Sequence, residues 1–75
     1  MTEQEFNEVA LFYKYHEPFV PFFIETNDGR EFYLDKDSGL IWNPPAVGVI
    51  SSDDMIYDFW IEDVLKFRPA GHELL

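Results

Sequence analysis

The sequence predicts an α+β fold, in which one N-terminal helix packs on an antiparallel sheet of four or five strands. Helical periodicity occurs once, at the start of the chain, and the rest consists of short alternating segments separated by turn residues. Apolar residues make up 47% of the 75 positions and aromatic residues 19%, which is enough to form a core despite a formal net charge of -10. Such a sheet can curl toward a small open barrel, and residues 1–75 are expected to form a single domain.

The helix is predicted over residues 3–15. Thr2 and Glu5 have the spacing of a capping box, and apolar residues then recur at intervals of three and four along one face. These apolar positions are Phe6, Val9, Ala10 and Tyr13. A proline cannot continue a helix, so the helix is expected to end before Pro18.

Antiparallel strands are predicted to fill residues 19–68, in the order of a meander. The first covers residues 19–26, with Val20 and Phe22 on its buried face, and Pro21 indicates that it begins at a sheet edge. Clusters of Asn, Asp, Gly, Ser and Pro predict turns at residues 27–29, 36–39, 43–45 and 51–54. The segments between these turns predict strands at residues 31–35, 40–42, 47–50 and 55–61. Val64 with Leu65 or Phe67 is expected to close the sheet before a loose tail over residues 69–75.

The composition limits the classes of function that the chain can have. Fifteen Asp and Glu against five Lys and Arg predict a strongly negative surface, which argues against direct binding of nucleic acid or of an anionic membrane. There is no cysteine, so disulfides, thiolate zinc sites and thiol nucleophiles are excluded. The acidic first residues and the lack of an apolar run of about 20 residues predict a cytoplasmic protein without a membrane span.

No motif predicts catalysis, a cofactor or a metal site. His16 and His72 have no second ligand at metal-binding spacing. Residues 35–39 resemble the opening of a calcium loop, but Ala46 stands where that loop requires a bidentate glutamate. The paired carboxylates of the chain fall in predicted turns, where no cleft is expected to shift their proton affinity. The sequence therefore predicts a protein that is not an enzyme.

One long stretch of the chain carries acids without any base. No Lys or Arg occurs between Lys36 and Lys66, and the predicted strand over residues 55–61 has acidic residues on it and at both ends. This arrangement predicts a line of negative charge of roughly 20 Å, at about 3.3 Å per residue. The acids of this line are Asp53, Asp54, Asp58, Glu62 and Asp63. Such a line can imitate the phosphates of a nucleic acid and occupy a basic groove, or it can serve only solubility and protect sheet edges.

The aromatic residues outnumber the positions on one inner sheet face, because alternate residues of a strand point away from it. Trp42 and its Pro44-Pro45 loop are expected to form a patch that binds a partner, since Trp and Tyr commonly anchor interfaces. Tyr57 and Trp60, beside the acidic stretch, are further candidates for partner binding. Packing of the two tryptophans against the helix is the alternative.

The function that these features predict is a non-enzymatic acidic module that binds a basic protein surface. The partner class would include nucleic-acid-binding proteins, and the module would act as a regulator or inhibitor, with no cofactor. The alternative is a self-associating structural or accessory domain that buries its exposed aromatics and sheet edges in a homo-oligomer.

One part of the chain resembles a pattern found in other proteins. It is the segment from Pro18 to Ile24, followed by the turn at residues 27–30 and by Phe32. It resembles small uncharacterised bacterial proteins in which a short helix precedes a "PFxPFxI…DGR" strand-turn-strand pattern. The resemblance implies the same order of elements over residues 6–34 and brings no known activity. A helix followed by a meander with Asp-Gly-Arg after the first strand is also similar to Sm-like and SH3-like barrels. That similarity implies architecture alone, because the negative charge contradicts the RNA binding of Sm-like proteins.

Overall fold

A computed structural model describes residues 1–71, in which one helix and six strands follow each other along the chain. The helix α1 precedes two three-stranded antiparallel sheets, with a short 3₁₀ turn at Ile61–Asp63 before the last strand. The elements are α1 Glu3–Lys14, β1 Phe22–Thr26, β2 Glu31–Leu34, β3 Gly39–Asn43, β4 Ala46–Ile50, β5 Ile56–Trp60 and β6 Val64–Pro69. The predicted α+β class and the single N-terminal helix are confirmed.

The strands form two separate sheets, in the orders β2-β1-β6 and β3-β4-β5. The structure therefore has six strands where four or five were predicted, and the sheets are not closed into a barrel. The chain also departs from a simple meander, because β6 returns to pair with β1. The 3₁₀ turn connects β5 to β6. The side chain of Ile61 in this turn is buried, and the backbone N–H of Ile61 donates to the carbonyl of Pro45 at 2.9 Å.

The prediction that β1 begins at a sheet edge is wrong, because β1 lies in the centre of its sheet. Pro21 stands immediately before the first paired residue, so its missing N–H removes no hydrogen bond from either neighbouring strand. Its carbonyl instead accepts the N–H of Ala70 at 2.9 Å.

The helix begins at the predicted capping box. The N–H of Glu5 donates to the Thr2 hydroxyl at 3.1 Å, and the Thr2 N–H donates to the Glu5 carboxylate at 2.9 Å. The hydrogen bond from the Thr2 N–H to the carboxylate is the main reason why the pKa of Glu5 lies below its ordinary value, and the Thr2 side chain also lowers it. Phe6 and Ala10 are the buried residues of α1, which ends one residue before the predicted boundary.

The core lies between the helix and the inner faces of the two sheets. The Phe6 ring is 6.3 Å from that of Phe59 and 5.3 Å from that of Phe67, so it contacts both sheets. Phe32 of β2 stacks on Phe59 of β5 at 4.9 Å between centroids, which joins the sheets directly. The buried apolar residues are Phe6, Ala10, Val20, Phe22, Ile24, Phe32, Leu34, Val47, Val49, Phe59, Ile61 and Val64.

The predicted turns all occur. Gly29 has a φ of +88° in the β1–β2 turn, a conformation that glycine adopts without steric cost. Strands β3 and β4 are joined through Pro44 and Pro45 alone, since Asn43 pairs with Ala46. The predicted tail begins later than expected, because β6 extends to Pro69. The rest of that tail, residues 72–75, lies outside the described residues, as does His72.

Candidate functional site

The sheet β3-β4-β5 has one inner and one outer face. Val47 and Val49 of β4 are buried, so they and their cross-strand partners form the inner face. The intervening residues of the three strands point the other way. We call this second surface the outer face; its members are Gly39, Ile41, Asn43, Ala46, Gly48, Ile50, Ile56, Asp58 and Trp60.

The outer face exposes large apolar side chains. Ile41 is 45% exposed, Ile56 68% and Trp60 54%, and each is on an edge strand of the sheet. Gly48 occupies the centre between Ile41 and Asp58. A Cβ at this glycine would lie 3.3 Å from the Ile41 Cβ, so the absent side chain leaves room for the isoleucine. The result is an apolar sheet surface with a single carboxylate, that of Asp58, beside its centre.

The corresponding surface of the other sheet is covered by charge. The Arg68 guanidinium lies 4.3 Å from the centroid of the Phe23 ring. It also forms salt bridges with Glu25 at 2.8 Å and with Glu31 at 3.0 Å. Within residues 1–71, no salt bridge of this kind crosses the outer face of β3-β4-β5.

The five acids predicted to bind a partner lie along β5 and at its two ends. We call them the acidic edge. Asp53 and Asp54 are in the β4–β5 turn, Asp58 is on β5, and Glu62 and Asp63 belong to the 3₁₀ turn. None of the five forms a salt bridge with a described residue. Their charge is therefore not neutralised by an ion pair within the described chain.

Two members of the acidic edge also have local structural roles. The Asp53 carboxylate accepts a hydrogen bond from the Ser51 hydroxyl, which lowers the pKa of Asp53 below its ordinary value. Asp63 is half-buried, and its carbonyl accepts the Asn27 N–H at 2.8 Å. Asp53 thus stays negatively charged at lower pH than a free carboxylate would.

The three predicted aromatic residues lie in different places. Trp60 shares the outer face with Asp58. Tyr57 is on the opposite side of the same strand, where its ring lies 5.9 Å from that of Phe32. Trp42 is on β3 and stacks on Phe6 of the helix at 6.0 Å. Packing against the helix, the predicted alternative, is therefore found for Trp42 and not for Trp60.

Sequence reasoning missed the isoleucines of the outer face. Ile41 and Ile56 occur in predicted strands, where an apolar residue ordinarily indicates a buried position. Ile56 lies two residues before Asp58 on β5 and shares its face by strand alternation. Ile41 reaches the same face across Gly48 of β4, and this register depends on pairing that the local sequence does not determine. A further local signal is the alternation with Val47 and Val49, which marks β4 as having two unlike faces.

An open groove of about 630 Å³ separates β2 from β5. Each strand is at an edge of its own sheet. Its lining combines buried apolar residues with exposed polar and charged ones, Arg30 among them. Residues that line the groove include Glu31, Phe32, Val49, Ser52, Asp53 and Tyr57.

Other classes of site have no counterpart in the part of the chain that the structure describes. Within residues 1–71, no group of three or more His, Asp or Glu side chains could hold a metal ion. The calcium-like segment forms a turn, in which the Asp35 carboxylate accepts the Asp37 N–H at 2.9 Å; this bond lowers the pKa of Asp35. No described helix has the length and apolar character needed to cross a bilayer.

Comparison with protein-family models, curated proteins and solved structures gives no match for this chain. In the fold, the segment with the "PFxPFxI…DGR" resemblance comprises the approach to β1, β1 itself and the β1–β2 turn. The function proposed below therefore depends on the chemistry of the chain's own surface.

Proposed function

We propose that this protein is a non-enzymatic acidic module that binds a basic protein surface and acts as a regulator or inhibitor. The observation that supports it best is the combination found on β5. Asp58 and the exposed Trp60 share the outer face, and unneutralised acids continue at both ends of the strand. Apolar anchors surrounded by charge of one sign suit a partner with an apolar centre and a basic rim.

The energetics of such contacts favour Trp60 as an anchor. Tryptophan is enriched among interface residues whose truncation costs 2 kcal/mol or more of binding free energy, typically near the centre of the interface. Ile56, at the other end of β5, and Ile41, on β3, extend the exposed apolar area of the same face. The acidic edge would contribute mainly to the association rate and to partner choice, because charged rims act through long-range steering.

Solubility alone explains the acids less well. Acids on an edge strand do protect it from pairing with other chains. However, the same strand carries Ile56 and Trp60, both more than half exposed, which works against solubility. The other sheet shows how this chain covers an outer aromatic side chain, with Arg68 over Phe23. The outer face of β3-β4-β5 lacks that cover among the described residues.

A nucleic-acid-binding protein in the cytoplasm is the partner class that we favour. The five residues of β5 span about 17 Å at 3.3 Å per residue, and the acids extend beyond both ends. A basic groove that binds phosphates through Lys and Arg would accept such a row of carboxylates. The cysteine-free composition is compatible with a cytoplasmic location.

Homo-oligomerisation is the second candidate, supported by the same exposed isoleucines and by the free edges of β3 and β5. A two-fold dimer through the outer face would bring the Asp58 carboxylates of both copies into one interface. Each copy also has a formal net charge of -10, so the two would repel. These charges favour a basic partner over a second copy.

A retention experiment with charge-matched variants tests the proposal. Immobilised protein would be exposed to a panel of purified basic nucleic-acid-binding proteins at low and at high salt. The test variant is the triple substitution Asp53→Asn, Asp54→Asn and Asp58→Asn. The control removes the same charge elsewhere on the surface, through Glu3→Gln, Glu8→Gln and Asp37→Asn.

We expect native protein and control to retain members of the panel at low salt and to release them at high salt or when duplex DNA is added. At low salt the test variant should retain at least about tenfold less of these proteins than the control does. Equal retention by test and control variants, or retention that salt does not change, would contradict the proposal.

A further inference from the structure

We infer that the groove between β2 and β5 binds an extended basic segment of the partner, which adds to the edge of β5 or β2 as a further strand. This inference rests on the proposed function, and it adds how the partner is held. It concerns a surface different from the outer face, because the groove opens beside the inner-face residues Phe32 and Tyr57.

The edge of β5 that faces away from β4 pairs with no other described strand. Ser51 N–H donates to the Met55 carbonyl at 2.8 Å, and Ile61 N–H donates to the Pro45 carbonyl at 2.9 Å. Because pairing alternates along an antiparallel strand, Tyr57 and Phe59 bond to β4, while Ile56, Asp58 and Trp60 direct their N–H and C=O groups outward. The Asp58 carbonyl confirms this direction, since it accepts a hydrogen bond from Arg30 Nη1 at 3.5 Å, which an incoming strand would replace.

The backbone of β2 is arranged in the same way. Thr26 N–H donates to the Arg30 carbonyl at 3.0 Å, and this bond fixes which alternate residues of β2 bond to β1. Phe32 and Leu34 therefore bond to β1, and the N–H and C=O groups of Glu31 and Tyr33 point away from it. The groove thus lies between two strands that each have one unpaired edge.

The side chains of the groove select the occupant. Phe32, Val49 and Tyr57 give it an apolar interior, which suits the apolar side chains of an incoming strand. Asp53 and Glu31 also line the groove, with Glu31 already paired to Arg68 at 3.0 Å, and Asp58 is on the adjoining strand. Arg30 also lines the groove, but its Nε is held by the Asp28 carboxylate at 2.8 Å.

An extended segment in which Lys or Arg alternates with an apolar residue matches both features. Its apolar side chains would face the interior of the groove, and its cations would face the carboxylates, because successive residues of a strand point to opposite sides. Main-chain hydrogen bonds to a free edge would supply affinity, as in other cases of strand addition. A second copy of this chain is a poor occupant, since its net charge is also -10.

The test uses a synthetic peptide of about six residues with alternating Lys and Val, a typical strand length. A second peptide has the same sequence with N-methyl groups on alternate backbone nitrogens, in two versions that together block every N–H. Its charge and side chains are unchanged. Affinity for the native protein is measured by titration calorimetry, and the amide signals of Tyr33 and Asp58 are followed by NMR.

Two variants of the protein complement the peptides. Ile56→Pro removes an N–H on the unpaired edge of β5 without removing a hydrogen bond to β4. Ile56→Thr is its matched control, because it also shortens the exposed side chain but keeps the N–H. Amide spectra of both variants establish that they are folded, and the N-methylated peptides test the same point on native protein.

We expect the unmodified peptide to bind and to shift the amides of Tyr33 and Asp58. At least one N-methylated version and the Ile56→Pro variant should each lower affinity about tenfold, whereas Ile56→Thr should change it little. Binding that survives both N-methylated peptides and Ile56→Pro, but is lost in the triple Asp variant, would overturn strand addition and leave the proposed function standing. Strand addition would likewise be overturned, and the proposed function left standing, if the peptide did not bind while basic proteins were still retained. Failure of both experiments would overturn both proposals.

Discussion

At the scale of single residues, the β1–β2 turn depends on a hydroxyl that is nearly inaccessible to water. Thr26 is 3% exposed, and its hydroxyl donates to the Asp28 carboxylate and lies 3.3 Å from the Arg30 carbonyl. The Thr26 bond is the main reason why the pKa of Asp28 lies below its ordinary value of 3.8, with further contributions from Arg30. A carboxyl whose pKa is lowered by folding stabilises the protein above its unfolded pKa, and this contribution is lost as pH falls through the folded pKa.

The substitution Thr26→Val is therefore expected to lower the free energy of unfolding at pH 7, because it removes the hydroxyl and keeps the side-chain shape. The difference from native protein should become smaller as pH falls below the ordinary Asp28 pKa of 3.8, since the carboxylate is then increasingly protonated in both proteins. Urea unfolding at pH 7 and at successively lower pH measures this. A difference that does not change with pH would show that Asp28 is not the relevant partner.

The two tryptophans also differ at this scale, because one belongs to the helix contact and the other to the outer face. Trp60→Ala is expected to weaken partner binding about tenfold or more while changing stability little. Trp42→Ala should instead lower stability and change partner binding little, since the Trp42 ring stacks on Phe6 at 6.0 Å. Affinity and unfolding free energy measured for both variants would test this separation. Equal loss of affinity in both would mean that the binding surface includes the helix side.

At the scale of elements, the helix is joined to both sheets through one ring. Phe6 is 1% exposed and contacts rings from β3, β5 and β6. Phe6→Ala is expected to cost about 3–5 kcal/mol of unfolding free energy, a large part of the total for a small domain. Phe12→Ala, on the exposed side of the same helix, should change it by about 0.5 kcal/mol at most. Thermal and urea unfolding compare the two, and similar costs would contradict the packing described for α1.

Local elements could be predicted from sequence because each depends on neighbouring residues. The capping box at Thr2 and the hairpin turn ending at Gly29 are examples, and both occur as predicted. The pairing of β6 with β1 was not predictable in this way, because it joins residues that are about forty positions apart, such as Glu25 and Lys66. The wrong edge prediction at Pro21 follows from that pairing, which places β1 in the centre of its sheet. The break between β2 and β3, which divides the strands into two sheets, was not predicted either.

The candidate site was predictable to a different extent. The acidic edge follows from the run of acids around one strand, and the structure places these acids on β5 and in the turns at its two ends. The side chains that accompany those acids are the ones on the same face of the sheet. A shift of register by one residue would move a strand's side chains to the opposite face. For this reason the sequence indicated Trp42, Tyr57 and Trp60 alike, whereas the fold places only Trp60 on the face of Asp58.

At the scale of the whole molecule, uncompensated charge and an exposed apolar face have opposite effects on self-association. The net charge of -10 keeps copies apart, and Asp58 interrupts the apolar outer face near its centre. Asp58→Leu should remove that interruption and join Ile41, Ile56 and Trp60 in one apolar patch. We expect this variant to self-associate in sedimentation velocity, while native protein and the matched Asp37→Leu variant remain monomeric. A native protein that already forms a stable oligomer would favour the second candidate function.

The central claim is that the acids along β5 bind a basic protein surface. The most direct measurement is the dependence of affinity on salt for one retained nucleic-acid-binding protein. It compares native protein, the triple Asp53→Asn, Asp54→Asn, Asp58→Asn variant, and the charge-matched control at residues 3, 8 and 37. We predict a steep loss of affinity with salt for native protein and control, and a clearly shallower slope for the triple variant, because fewer ions are released. Equal slopes for all three proteins would contradict the claim.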